Sequence, residues 1–167
     1  VSDTYLLLQA QANLSRLDPF SSFDSISLPQ ELNGADLSNI KMAYSPDLGC
    51  APVDNEIKSI FLDKVTTFKS NFRKSEQAEP DFLDVHNCFE IIRGFNYVAS
   101  HKERFDNSKD LLGPNVIDNV ERGLKYSLSD VSWANVMQTK IYRNFRNFFN
   151  EYDVLICPAA SVSPYPH

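Results

Sequence analysis

The histidines, serines and glycines of this chain decide whether it can carry a catalytic site of its own. His86, His101 and His167 lie far apart, and no H-E-x-x-H or C-x-x-C pattern accompanies them, so the sequence predicts no metal site. A nucleophilic serine needs a base and an oxyanion hole, which is usually built from a glycine-rich turn. The five glycines are never neighbours, and no G-x-S-x-G or phosphate-binding loop is present. The sequence therefore predicts no catalytic residue, no metal and no cofactor.

Two groups of charged residues have simple structural interpretations. Asp81 and Asp84 are spaced like an acid–base pair, but carboxylates are favourable at helix starts, and we interpret them as helix-start residues. Lys140, Arg143 and Arg146 share one face of a predicted helix. This face is most simply solvated, and contact with an acidic partner surface is the alternative.

The overall composition excludes several classes of protein. Hydrophobic residues make up 43% and charged residues 23% of the 167 residues, as in ordinary globular domains. The net charge of -6 argues against nucleic-acid binding, which needs a basic face. The sequence has no apolar run long enough to cross a membrane and no signal-peptide pattern, so the predicted compartment is the cytoplasm. Cys50, Cys88 and Cys157 are interpreted as reduced thiols in or near the core.

The first part of the chain, residues 1–38, is predicted to be a helix followed by an irregular connection. An amphipathic helix with a serine or aspartate cap is expected over residues 2–10. Residues 13–38 have no periodicity and contain Pro19, Pro29 and Gly34 among serines and aspartates. No strand or turn precedes the helix, so we expect these 167 residues to be a piece of a longer protein whose surface the connection covers.

The second part, residues 39–167, is predicted to be an α/β portion with helices packed on a small, mainly parallel or mixed sheet. Its first half contains, in order, a strand over 40–44, a turn over 45–49, a helix capped by Asp54 and a short strand within 73–80. Its second half contains a helix opened by Asp81 or Asp84, a charged loop over 101–110, a short helix from Pro114, a long helix from a Ser127-x-x-Asp130 capping box to about Asn150, and a last strand from Asp153. The strands over 40–44 and 154–157 are expected to be parallel neighbours.

The loop after the last strand is a predicted ligand-binding segment. Val154 to Cys157 form an apolar run that stops at Pro158, as a buried parallel strand does when it delivers a loop to the carboxyl edge of a sheet. Open α/β sheets bind ligands at that edge. Tyr126 and Trp133 could line the border of a pocket, although large aromatic residues more often belong to the core. The predicted pocket residues are Tyr126, Trp133, Pro158, Ala159, Ala160 and Ser161.

Several segments resemble the amidase signature family in their residue patterns and in their order along the chain. The end of the chain resembles the family's late D-x-L-[IL]-x-P strand, here Asp153-Val154-Leu155-Ile156-Cys157-Pro158. Residues 45–56 are similar to its S-x-D-x-G-x-x-P-V-D-P-E turn and helix start, and residues 1–19 to the segment that follows the family's catalytic region. The segment from Leu111 through Ser127 and the long helix after it also match the family's order and spacing. The resemblance covers nearly the whole chain.

The resemblance implies a C-terminal-half piece of an α/β/α domain from hydrolases that cut carbon–nitrogen bonds with a serine nucleophile. The Ser-Ser-Lys catalytic residues of the family lie upstream of the part represented here, so no residue of this sequence is assigned to them. The implied partners are the remainder of the domain and a small-molecule amide, with no nucleic acid and no membrane. We expect the piece alone to be inactive and to pair with a second copy through its uncovered surface. The alternative is a free-standing, non-catalytic interaction or regulatory module. A small enzyme with an unrecognised site is the least favoured hypothesis, because glycine, which catalytic loops need, is scarce.

Overall fold

A computed structural model describes residues 1–12, 14–18, 21 and 34–164. The chain divides into two compact units, residues 1–36 and 37–167. Most of the predicted irregular connection lies outside the described residues, as does His167. Among the helices that the structure describes, none is long and apolar enough to cross a membrane.

Among its described residues, the first unit contains one helix, α1 (Ser2–Gln11). The helix was predicted, but its cap was not, because Val1 occupies the cap position and no side chain closes the first turn. Ser2 and Asp3 lie inside that turn instead. No residue of α1 is buried, and Leu6 is 63% exposed, so the expected apolar face of α1 is uncovered.

The second unit contains a three-stranded parallel sheet. Its strands are β1 (Lys41–Tyr44), β2 (Lys74–Gln77) and β3 (Val154–Ile156), in the order β2-β1-β3. Met42 of β1 pairs with Ser75 of β2 and with Val154 of β3. Because β1 is the central strand, its Met42 and Ala43 are fully buried. The predicted small sheet is confirmed, including the parallel pairing of β1 with β3.

Helix α2 (Asn55–Phe68) follows β1 after a connection of ten residues, 45–54. The carboxylate of Asp54 accepts a hydrogen bond from the N–H of Glu56 at 2.8 Å, which confirms the predicted cap. Val65 is the buried residue of the helix. Phe72 lies beyond the helix end, and its ring packs near that of Phe68.

The described part of the unit contains three further α-helices: α3 (Val85–Asn107), α4 (Pro114–Gly123) and α5 (Leu128–Phe148). The predicted charged loop over residues 101–110 is wrong, because α3 continues to Asn107 and includes His101. Lys102 and Asp106 form an ion pair one turn apart on this extension, an arrangement that stabilises exposed helix. Pro114 at the start of α4 and the capping box of α5 are confirmed.

The helical core lies between α3 and α5. Cys88, Ile91 and Ala134 are buried at its centre. The partly buried residues packed around them are Ile92, Tyr126, Val131, Trp133, Met137 and Ile141. All three cysteines are free, but only Cys88 is buried; Cys50 is half-buried and Cys157 is exposed, which corrects the expectation for Cys157. The last strand ends at Ile156, so Cys157 lies beyond the sheet and its side chain is exposed.

Candidate functional site

The carboxyl edge of the sheet brings three connections together, because parallel strands all end on the same side. The N–H of Ser45, directly after β1, donates to the carbonyl of Ile156 in β3 at 3.0 Å. On the other side of β1, the N–H of Ala78 donates to the carbonyl of Tyr44 at 3.2 Å. The segments that follow all three strands therefore start side by side.

The segment after β1 is a tightly bonded turn, residues 45–50, called the β1 turn below. Ser45 is fully buried, and its hydroxyl accepts the N–H of Leu48 at 2.8 Å. Leu48 and Gly49 have positive φ values of 56° and 67°, a conformation that is uncommon for a leucine. A side chain at Gly49 would also meet the Glu79 side chain, 3.3 Å from its Cγ. The β1 turn therefore holds a strained backbone through its own hydrogen bonds.

Asp47 connects the β1 turn to α2. One carboxylate oxygen accepts the N–H of Gly49 at 3.0 Å, and the other accepts the ammonium group of Lys58 at 2.5 Å. The hydrogen bond from Lys58, followed by that from Gly49, lowers the pKa of Asp47 below its ordinary value. The carboxylate is therefore charged at neutral pH and bonded on both sides.

The loop after β3 contains four of the predicted pocket residues. Pro158 is half-buried, while Ala159, Ala160 and Ser161 are exposed. The carbonyl of Ser161 accepts the N–H of Asp54, the cap of α2, at 2.8 Å. The loop thus reaches the start of α2, and three of its residues are small and exposed.

Tyr126 and Trp133 lie in a different part of the unit. Both are half-buried and pack against the cluster of Cys88, Ile91 and Ala134 between the helices. The six predicted pocket residues are therefore divided between the sheet edge and the helical core. Their contact with a substrate stays a prediction for both groups.

His86 and Cys50 form a contact at the sheet edge that sequence reasoning missed. The Nε2 of His86, at the start of α3, donates to the carbonyl of Cys50 at 2.8 Å. Burial, and then the negative charge of Asp47, raise the pKa of the Cys50 thiol, so the thiol is not activated as a nucleophile. The two residues are 36 positions apart, and no local pattern signals their contact. Within the described ranges, no group of three His, Cys, Asp or Glu residues could hold a metal ion.

An open apolar groove of about 190 Å³ lies between α3 and α5. It is lined by Val85, Cys88, Phe89, Ile92, Gln138 and Ile141. Cys88 is its one ionisable group, and burial raises the pKa of that thiol. The groove can therefore accommodate an apolar group, but its lining residues provide no acid, base or activated nucleophile.

Comparison with known proteins identifies relatives of this architecture. No protein-family model matches the chain. It is 23% identical over 171 residues to an acylamidase of Rhodococcus erythropolis, in a match that covers 99% of this chain and 35% of the relative. A bacterial aryl acylamidase of the amidase signature family superposes with a TM-score of 0.67 at 13% identity, over 78% of this chain and 29% of that chain. A second solved amidase superposes with a TM-score of 0.69 at 13% identity, over 81% and 31%.

These likenesses establish the fold: the chain has the architecture of part of an amidase signature enzyme, which confirms the resemblance read from the sequence. The chain spans about a third of the length of the acylamidase it matches.

Proposed function

We propose that this chain is the C-terminal portion of an amidase-type hydrolase acting on carbon–nitrogen bonds, and that it supplies scaffold and one wall of the substrate pocket. The observation that carries the proposal is the match to an acylamidase over 99% of the chain. The parallel sheet supports it, because its carboxyl edge presents a loop of small exposed residues. The proposed location, in line with three free cysteines, is the cytoplasm.

The wall of the pocket is assigned to the loop 158–161, and Tyr126 and Trp133 in the helical core are proposed as further pocket residues. None of these side chains is a nucleophile with a bonded base, so the Ser-Ser-Lys residues are assigned to the remainder of the domain. The small-molecule amide is accordingly a substrate of the complete protein. The chain alone is expected to hydrolyse no aryl amide or ester above background.

The experiment has two parts. The first is to ask whether the reading frame encoding these residues also encodes an upstream lysine and a serine in a Gly/Ser-rich loop, and whether its product hydrolyses aryl amides. The second is to assay residues 1–167 alone on the same substrates. If the isolated chain hydrolyses these substrates after rigorous purification, and a point mutation in it abolishes the activity, the assignment of the catalytic residues to the remainder of the domain is wrong. A reading frame without those upstream residues would instead support the non-catalytic module.

A further inference from the structure

The loop 158–161 is held in place by the connection between β1 and α2. At one end, the N–H of Ser45 binds the carbonyl of Ile156, just before the loop. At the other end, the N–H of Asp54 binds the carbonyl of Ser161. These two hydrogen bonds join residues more than a hundred positions apart in sequence. The position of the loop therefore depends on the distance and orientation between the end of β1 and the start of α2.

Asp47 makes four hydrogen bonds within this connection and to α2. Its carboxylate binds the Gly49 N–H within the β1 turn and the Lys58 ammonium in the first turns of α2. Its carbonyl accepts the N–H groups of Cys50 and Ala51, at 3.2 and 2.8 Å. Lys58 in turn donates its own N–H to the carbonyl of Asp54 at 3.0 Å. The Asp47 side chain thus connects the β1 turn to the first turn of α2. Asp54, which caps that turn, binds the carbonyl of Ser161.

We propose that Asp47 is a positioning residue for the amide pocket: it fixes the N–H of Asp54 so that this group holds the loop 158–161 in place. The inference rests on the proposed function, which makes that loop a wall of the pocket. Asp47 is assigned a positioning role and not a catalytic one, since both oxygens of its carboxylate are bonded within the chain, to Gly49 and Lys58.

The setting of Asp47 distinguishes it from an ordinary surface ion pair. Exposed ion pairs contribute little because their side chains are free to separate in water. The side chains of Asp47 and Lys58 are only 28% and 31% exposed. Asp47 also closes a backbone turn with two consecutive positive φ values, which needs its surroundings to hold it. Loss of the carboxylate therefore releases a strained turn as well as an ion pair.

The first test uses residues 1–167 and the Asp47→Ala variant. Amide exchange followed by NMR should be at least about tenfold faster at Asp54, because its N–H loses the fixed acceptor on Ser161. Amide order parameters over residues 159–163 should fall as well. Asp47→Asn keeps an oxygen for the Gly49 N–H and should give a smaller change, which covers the case in which the alanine variant does not fold. Asp106→Asn breaks a more exposed ion pair on α3 and should change none of these readings.

The second test uses the complete amide-hydrolysing protein with the same variants. Asp47→Ala should raise KM for aryl amides about tenfold and lower kcat less than about threefold, since a displaced pocket wall weakens binding before it affects the chemistry. Asp47→Asn should restore part of the loss. Unchanged exchange at Asp54 would overturn positioning by Asp47 and leave the proposed function standing. A looser loop with unchanged KM would overturn the pocket role, and a complete protein without amidase activity would overturn the proposed function itself.

Discussion

Tyr152 joins the segment after α5 to the sheet. Its side chain is buried, its ring stacks on Phe148 with centroids 4.6 Å apart, and its hydroxyl donates to the carboxylate of Glu76 in β2. Lys74 donates to the same carboxylate at 2.5 Å. The hydrogen bond from Lys74, followed by that from Tyr152, lowers the pKa of Glu76. Tyr152 therefore contributes both apolar burial and a charge-assisted hydrogen bond at the start of β3.

Because of this arrangement, we expect the free energy of unfolding to fall at alkaline pH. The hydrogen bond with Glu76, followed by burial, raises the pKa of Tyr152 from 10.0 to about 12. Because the unfolded chain loses this proton first, the stabilisation is complete below pH 10 and is lost as the pH rises to about 12. We expect the difference in unfolding free energy between the wild type and Tyr152→Phe to shrink over that interval in urea titrations. Tyr142→Phe, at an exposed position, should show no such convergence. A constant difference from pH 8 to pH 12 would contradict the role of the hydroxyl.

Gly94 and Gly123 allow α3 and α4 to cross in close contact. A Cβ at Gly94 would lie 2.9 Å from the Cα of Gly123, and one at Gly123 would overlap the carbonyl group of Gly94. We expect Gly123→Ala to cost about 2–3 kcal/mol in unfolding free energy although alanine favours helix, because the backbones must separate. Gly34→Ala is the control, since nothing lies within 4 Å of its added Cβ. Equal effects of the two substitutions on thermal or urea unfolding would show that the close contact is not responsible.

At the level of elements, α5 connects the helical core to the last strand. Its first turn is closed by a reciprocal pair: Ser127 Oγ accepts the N–H of Asp130 at 3.2 Å, and Asp130 accepts the N–H of Ser127 at 2.7 Å. The hydrogen bond from the Ser127 hydroxyl, followed by that from its N–H, lowers the pKa of Asp130. Further along, Ala134, Met137 and Ile141 contribute to the core. A defined start for α5 therefore sets which of its residues face α3.

The capping pair gives a simple prediction. Ser127→Ala should lower the unfolding free energy by about 1 kcal/mol, because two N–H groups at the helix start lose or weaken their partners. Ser129→Ala, an exposed position in the same turn outside the box, should have an effect below about 0.5 kcal/mol. Chemical denaturation of both variants measures the difference. A Ser129 effect as large as that of Ser127 would attribute the loss to general helix propensity.

At the level of the whole molecule, much apolar surface is uncovered. Phe89 and Phe95 on α3 are 55% and 49% exposed, and Ile60 on α2 is 50% exposed. Within the described residues, no strand pairs with the outer side of β2 or of β3. Such edges and patches favour pairing with other chains.

We therefore expect residues 1–167 to self-associate at micromolar concentration, most simply as a two-fold pair. Sedimentation equilibrium should give a dimer or a larger species, and a hydrophobic dye should bind. Phe89→Glu should shift the equilibrium toward monomer, because it places a charge on the apolar groove. A monomer across the whole range with little dye binding would contradict this prediction and favour the self-contained module.

The sequence by itself determined the elements whose signals are local. Asp54, Pro114 and the Ser127–Asp130 pair mark helix starts through neighbours a few residues away, and all three were predicted correctly. The parallel pairing of β1 with β3 could also be predicted, since an apolar strand between helices requires a sheet of that kind. The end of α3 was missed because a charged, exposed helix end has the same composition as a loop.

Only the tertiary structure decided the contacts at the sheet edge and between the helices. Gly94 with Gly123, His86 with Cys50, and Asp54 with Ser161 are each pairs of residues distant in sequence. No local pattern specifies such a pair, because its distance depends on how all the intervening elements pack. The same reason divided the predicted pocket. Tyr126 and Trp133 pack into the helical core, whereas Ala159, Ala160 and Ser161 lie exposed in the loop that the hydrogen bond to Asp54 joins to the start of α2.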